Sequence, residues 1–339
     1  MTKCVLMQHG LTLWLGNKMG VCCYNQTDPK NYSSYEIDPV GCRACIDQEI
    51  NGVKSYRQGA NEQYGLEHSH RSPIILDIAP NFNCNLTCKI CNEDSSSSWA
   101  KIKQVKIKKS YNISLEGVQS RLENLDLKYV REINFSGGEP LLNHNIIKYI
   151  EPLEHRIDFS QCKLRFSTNA THALSNRLIN FLSKFKLVLA RFSIDDIEHG
   201  FEYQRYPAKW DKCQNNWNLF LESMPHNTIP SINRTVSILN IRRLHLLDNW
   251  HKQYLNTRFS DSIELIDHFA VGNYSLFYLT PKLKENIRLF GYQKAWDYVK
   301  NRQTVVDVNL LKQTIHQHDA LHNTDLAKFD LELYNIIFQ

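Results

Sequence analysis

From residue 72 onward, short apolar runs alternate with amphipathic stretches, and that alternation constrains the fold of this 339-residue chain more than any other feature. The runs cover 74–79, 130–135, 163–167, 187–194, 232–238 and 263–271, and each reads as a strand. Between them, 115–127, 146–153 and 210–221 repeat their apolar residues at helical spacing. Strand and helix in alternation argue for a parallel sheet. Six such units predict an α/β fold, an open, partial (β/α)6 TIM-like barrel. In parallel barrels the chemistry gathers at the C-terminal ends of the strands. The residues just beyond each run are therefore the candidates for function.

The first run ends at Pro80 and delivers residues 84–91, Cys-Asn-Leu-Thr-Cys-Lys-Ile-Cys. Three thiolates on one short loop, Cys84, Cys88 and Cys91, suit iron with sulfide. A four-iron cluster held by four cysteines is coordinatively closed. Held by three, it leaves one iron open to a substrate or cofactor. The bland alternatives are three buried free thiols or part of a zinc site. Cysteine is often buried, but three within eight residues is a density that chance rarely gives.

Other polar residues end the later runs. Gly137, Gly138 and Glu139 follow the second, in Phe-Ser-Gly-Gly-Glu-Pro over 135–140. Glycines there allow positive φ and close backbone approach; taken alone, the stretch is equally a strand-to-helix turn with a solvated glutamate. Ser167, Thr168 and Asn169 end the third run. They suit sugar hydroxyls, or capping of a helix from Thr171 onward. Ser193 and Asp195 end the fourth, and Asp195 suits either a ribose hydroxyl or a helix cap.

Together these residues resemble the radical S-adenosylmethionine (radical SAM) superfamily. The run Cys-Asn-Glu-Asp-Ser-Ser-Ser-Ser-Trp over 91–99 is similar to its twitch/SPASM-like branch. The resemblance covers most of residues 1–280. It implies a catalytic [4Fe-4S] cluster on Cys84, Cys88 and Cys91, whose open iron is chelated by SAM. It implies further that Gly137, Gly138 and Glu139 meet the methionine amino group, and that Ile90 packs on adenine. Asn169 faces the ribose, and Ser193 and Arg205 contact the carboxylate and ribose region. Arginine suits a carboxylate because its planar fork can bond both oxygens. The stretch 235–240 would hold adenine through backbone groups.

Residues 1–71 form a cysteine-rich segment of weak periodicity. Eight of the ten cysteines lie before residue 92. Beyond the catalytic loop these are Cys4, the adjacent pair Cys22 and Cys23, and the Cys-x-x-Cys of Cys42 and Cys45. Adjacent side chains in an extended chain point opposite ways, so one of the pair completes a four-thiolate set. The expected ligands are Cys4, Cys22, Cys42 and Cys45, with Cys23 as the substitute for Cys22. Four thiolates suit zinc and also suit a closed cluster. The run 41–57 looks like the stretch that precedes the barrel in twitch-type proteins, which favours a second, auxiliary [4Fe-4S] cluster over zinc. Cys162 and Cys213 read as buried, inert thiols.

The expected division is 1–71, an auxiliary-cluster segment, 72–278, the partial barrel, and 279–339, two or three helices. In that last part Leu283, Ile287 and Phe290 share one face, and so do Leu326, Phe329, Leu333 and Ile336. The net charge of +5 is scattered, with no basic stripe for nucleic acid. The basic run 101–109 reads as a solvated helix face. No apolar stretch has the length of a signal peptide or a membrane span, and a chain of this length is not a small disulfide scaffold. Both point to the reducing cytoplasm.

The expected activity is reductive cleavage of SAM to a 5′-deoxyadenosyl radical that abstracts hydrogen from a substrate. The partners are an external electron donor such as flavodoxin or ferredoxin and, as leading substrate, a peptide modified or crosslinked oxidatively. A small metabolite such as a sugar or amino acid is the alternative within enzymes. A non-catalytic iron–sulfur or zinc protein is the alternative outside them.

Overall fold

A computed structural model describes residues 3–14, 18–22, 25, 35–50, 52, 54–66, 68–70, 72–105, 112–258, 263–270, 272–279, 281, 284–285, 292–300 and 307–338. It contains an eight-stranded sheet in the order β2-β1-β3-β4-β5-β6-β7-β8. The strands are β1 (Gly10–Trp14), β2 (Lys18–Gly20), β3 (Ile75–Ile78), β4 (Glu132–Phe135), β5 (Lys163–Thr168), β6 (Leu187–Ser193), β7 (Thr228–Val236) and β8 (Glu264–Phe269). Strands β3 to β8 are the six expected ones, all parallel. The sheet stays open between β2 and β8, an α/β partial barrel.

The first two strands were not expected. Strand β1 pairs parallel with β3, placing Leu11 opposite Leu76 and Leu13 opposite Ile78, and β2 turns back antiparallel on β1. Leu11 and Leu13 are buried in the main core. The N-terminal segment thus extends the barrel sheet. Strand β2 has only three residues, and β1, no shorter than β3 or β4, stands outside the strand–helix alternation that marks the later strands.

Alternation sorts the sheet faces. On β5, Leu164, Phe166 and Thr168 are buried, while Lys163, Arg165 and Ser167 are less so. On β6, Val188, Ala190 and Phe192 are buried, and Arg191 and Ser193 lie on the other face. The apolar face meets the helices Leu115–Leu122, Asn145–Ile150, Asn176–Leu182 and Trp210–Ser223 through residues such as Val118, Ile146, Leu178 and Trp217. The polar face lines the concave side. A parallel barrel filled by apolar side chains would read otherwise.

The C-terminal part forms a second core. Helix Val308–His322 buries Leu311, Ile315, His318 and His322, one face at helical spacing, and Asp307 caps it by accepting from Asn309 N at 2.8 Å. Leu326 and Leu333 are buried, with Phe329 and Ile336 packed beside them, in the helices Leu326–Phe329 and Leu331–Phe338. Leu283, Ile287, Phe290 and residues 106–109 of the basic run lie outside the described residues. Among the described residues no helix is long and apolar enough to cross a membrane.

Candidate radical SAM site

The cysteine loop is held by its own flanking sequence. Ser97 Oγ accepts from Cys84 N at 3.1 Å, and Ser98 Oγ donates to Cys84 O at 2.7 Å. Ser96 Oγ donates to Leu86 O at 2.6 Å and caps the helix Ser97–Ile102. Trp99 is fully buried and its indole N–H donates to Cys88 O at 2.9 Å. The serine run and the tryptophan are therefore a clamp on the loop backbone. From the other side, Thr87 N and Lys89 N donate to Tyr206 O and Gln204 O, both at 2.8 Å.

Cys84, Cys88 and Cys91 line one cavity of about 410 Å³ at the C-terminal ends of the strands. Burial pushes all three thiols up, Cys84 to about 11. A thiol so placed keeps its proton unless a cation replaces it. Among the described residues no group of three or more His, Cys, Asp or Glu side chains converges on a single metal ion.

Gly137 and Gly138 follow β4, and the loop they press against explains them. A Cβ on Gly137, at φ +119°, would lie 2.3 Å from Asn81 O; one on Gly138 would lie 2.1 Å from Asn83 O. The glycines admit the backbone of the cysteine loop, and Glu139 N donates to Asn83 O at 2.7 Å. Glu139 is a buried acceptor, not a solvated turn residue. It receives Leu141 N at 3.0 Å and Thr168 Oγ1 and Asn169 N at 2.7 Å each. Burial pushes its carboxyl up against those donors.

Asn169 Nδ2 donates to Asn85 Oδ1 at 3.0 Å and lies 3.9 Å from Cys84 Sγ. Asn169 Oδ1 accepts from Thr171 N at 3.0 Å and from Thr171 Oγ1 at 2.6 Å. The expected helix from Thr171 does not form there. The next helix is Asn176–Leu182, capped by Ser175, so Ser167, Thr168 and Asn169 are free of capping and face the cavity.

Ile90, Gly137, Gly138, Glu139, Asn169, Ser193 and Arg205 all line the same cavity as the three cysteines. Asp195 does not. Its carboxylate accepts from Thr235 N at 2.7 Å and pairs with Arg205 Nη2 at 2.7 Å. Asp195 therefore aims Arg205, and it caps no helix. The stretch 235–240 is likewise absent from the walls; Asn240 turns inward and donates to Asp195 O at 2.9 Å. Cys213 lies behind the wall, its thiol 3.9 Å from Asn169 O, and Cys162 is fully buried at the start of β5. Reading motif by motif missed Asn134 and Arg165, which also line the cavity. Their signal was polar residues on alternate positions of otherwise apolar strands.

The fit to a cluster with SAM rests on two observations. Three thiols line one cavity with a buried carboxylate, an asparagine and a guanidinium. Arg205 Nε is buried and has no hydrogen-bond partner, while Nη2 of the same guanidinium forms the ion pair with Asp195.

In the N-terminal segment Cys4, Cys22, Cys42 and Cys45 are all buried, and burial pushes the thiols of Cys4, Cys42 and Cys45 up. Burial first, then the other three, pushes Cys4 to about 12. Asn25 N donates to Cys22 Sγ at 3.3 Å and Asn25 Nδ2 to Cys42 Sγ at 3.7 Å. Cys23 lies outside the described residues.

Residues 78–210 match the model of the Radical SAM superfamily. An uncharacterized protein of Methanocaldococcus jannaschii is 24% identical over 270 residues, 77% of this chain and 81% of that protein. Among solved structures, native anSMEcpe with bound AdoMet is 20% identical with a TM-score of 0.44, covering 68% of this chain and 63% of that one. Streptococcus suis SuiB bound to S-adenosylmethionine is 17% identical with a TM-score of 0.44, covering 81% and 56%. The chain thus spans less than two thirds of either solved protein. Residues 78–210, which match the Radical SAM superfamily model, are the ones where the cysteine loop, the Gly-Gly-Glu turn, Asn169 and Arg205 meet.

Proposed function

We propose that this protein is a radical SAM enzyme of the twitch/SPASM-like branch that oxidatively modifies a peptide. The observation that carries the reading is the convergence of Cys84, Cys88 and Cys91 with Glu139, Asn169 and Arg205 on one cavity. When bound, the cluster and SAM supply reductive cleavage of SAM, giving methionine and a 5′-deoxyadenosyl radical that abstracts hydrogen from substrate. The chain's own residues bind and orient. Glu139 offers an acceptor to the methionine ammonium, which needs one once desolvated. Arg205, fixed by Asp195, offers its free Nε–H to the carboxylate. Asn169 and Ser193 face the ribose, and Ile90 gives adenine an apolar wall.

The four N-terminal cysteines support an auxiliary [4Fe-4S] cluster, closed by four thiolates, in preference to zinc. Asn25 donating to two of the sulfurs suits a cluster, whose potential responds to such bonds. A closed cluster suits removal of an electron from a substrate radical, which favours a net oxidation. Peptide is the substrate class in this reading, because relatives with auxiliary clusters commonly modify ribosomally made peptides. An external flavodoxin or ferredoxin supplies the electron, and the reaction takes place in the cytoplasm.

The test is anaerobic incubation of reconstituted protein with SAM and dithionite. Release of 5′-deoxyadenosine is expected, and it should vanish in Cys84→Ala, Cys88→Ala and Cys91→Ala chains that remain folded. Undiminished release from any of the three variants would overturn the assignment.

A further inference from the structure

A second cavity, of about 490 Å³, opens on the concave face below the candidate site. Arg165 borders both cavities. Arg191 faces the second one, and in the β5–β6 register it lies beside Ser167, a wall residue of the first. The two spaces are therefore neighbours on one face of the sheet.

The charges around the second cavity do not balance. Glu132 is already shared: Lys163 reaches it at 2.6 Å, Arg165 Nη2 at 3.0 Å and the Tyr64 hydroxyl at 2.6 Å. Lys54 is paired with Glu62. Asp77 accepts from Thr12 and Asn134, and burial pushes it up to about 6; Glu132 and Glu264 attract Arg191 electrostatically without pairing with it. Among the described residues the half-buried Arg191 guanidinium has neither hydrogen bond nor ion pair. Arg165 Nε is buried and also lacks a hydrogen-bond partner. Two guanidiniums thus border a partly enclosed space, and of these Arg191 has no counter-ion among the described residues. Cations held there without a partner are costly, and a planar carboxylate is the anion whose geometry matches the guanidinium fork.

We infer that Arg191, with Arg165, is a substrate-carboxylate site, and that the substrate carries a carboxylate anchored there while the adjoining segment enters the SAM cavity. This rests on the reading of the chain as a radical SAM enzyme acting in the barrel. The carboxylate belongs to an acidic side chain or to a peptide C-terminus, and the experiment separates them.

The probes are two matched pairs. One is acetyl-Ala-Ala-Glu-Ala-Ala-amide with its Gln counterpart. The other is acetyl-penta-alanine with a free or an amidated terminus. Binding to the reconstituted full chain with SAM present is followed by ligand-observed NMR. In at least one pair the acid should bind about tenfold or more tighter than the amide, and the pair that discriminates names the source. Arg191→Gln should abolish the discrimination and Arg191→Lys should keep part of it, with unchanged circular dichroism in both. Equal binding of acid and amide in both pairs, or discrimination that survives Arg191→Gln, overturns the inference. Binding is read without turnover, so a chain that fails to cleave SAM yet discriminates defeats the enzymatic reading and leaves the anion site standing.

Discussion

At the scale of single residues, the site depends on contacts with almost no free volume. Gly138→Ala would drive a methyl group into Asn83 O, which lies 2.1 Å from the Cβ position. The contact is backbone, so the cysteine loop must move. The variant should lose most of its catalytic-loop iron, measured on a Cys42→Ala, Cys45→Ala background. Glu139→Ala removes an acceptor proposed for a desolvated ammonium, which costs on the order of 1–3 kcal/mol, or about ten- to a hundredfold in SAM affinity. Anaerobic calorimetry checks this, and equal affinity in variant and parent would count against the role. The residues legible from sequence were those whose meaning lies in covalent spacing: the three cysteines and the Gly-Gly-Glu turn. Asp195 was legible only as a polar residue at a strand end. Its task depends on Arg205, ten positions along, folding back onto it, and nothing local to either residue encodes that contact.

At the scale of elements, the helix Val308–His322 braces the cysteine loop from outside. Lys89, between Cys88 and Cys91, has a wholly buried side chain paired with Asp319 at 2.7 Å. Asp319→Ala would leave that ammonium buried and unpaired, which costs about 3–5 kcal/mol. Denaturant titration under argon should show the loss. The same helix carries His318 and His322, which burial and then Lys89 pull down to about 4. Their unfolded-state value is near 6.5, so the unfolded chain binds more protons below it. The stability they contribute is present above pH 6.5 and is lost as pH falls from there toward 4. Neither ring nitrogen of His322 has a hydrogen-bond partner. His322→Leu should therefore be tolerated at pH 7.5 and should flatten the decline in melting temperature between pH 7 and 5; a slope identical to the parent's would contradict this. The six barrel strands were legible because short apolar runs recur in alternation with amphipathic stretches. Strands β1 and β2 were not, because their place comes from pairing with β3, a tertiary contact.

At the scale of the whole molecule, the proposed chain has two metal sites of different kinds, one open and one closed. Both candidate thiol sets were legible as cysteine spacings, but the bridge between their segments, β1 inserted beside β3, came only with the fold. If both sites hold four-iron clusters, the reconstituted chain should carry roughly eight irons, and Cys42→Ala with Cys45→Ala should halve that number while leaving SAM cleavage in place. About four irons and one zinc would instead make the N-terminal set a structural zinc site. The most direct test uses that double variant, in which only the catalytic set remains. Its dithionite-reduced electron paramagnetic resonance spectrum, recorded with and without saturating SAM, reports whether SAM reaches the iron. The account predicts a changed spectrum on adding SAM, and loss of the signal when Cys88→Ala is added. A cluster spectrum that SAM leaves unmoved would contradict the open iron on which the rest depends.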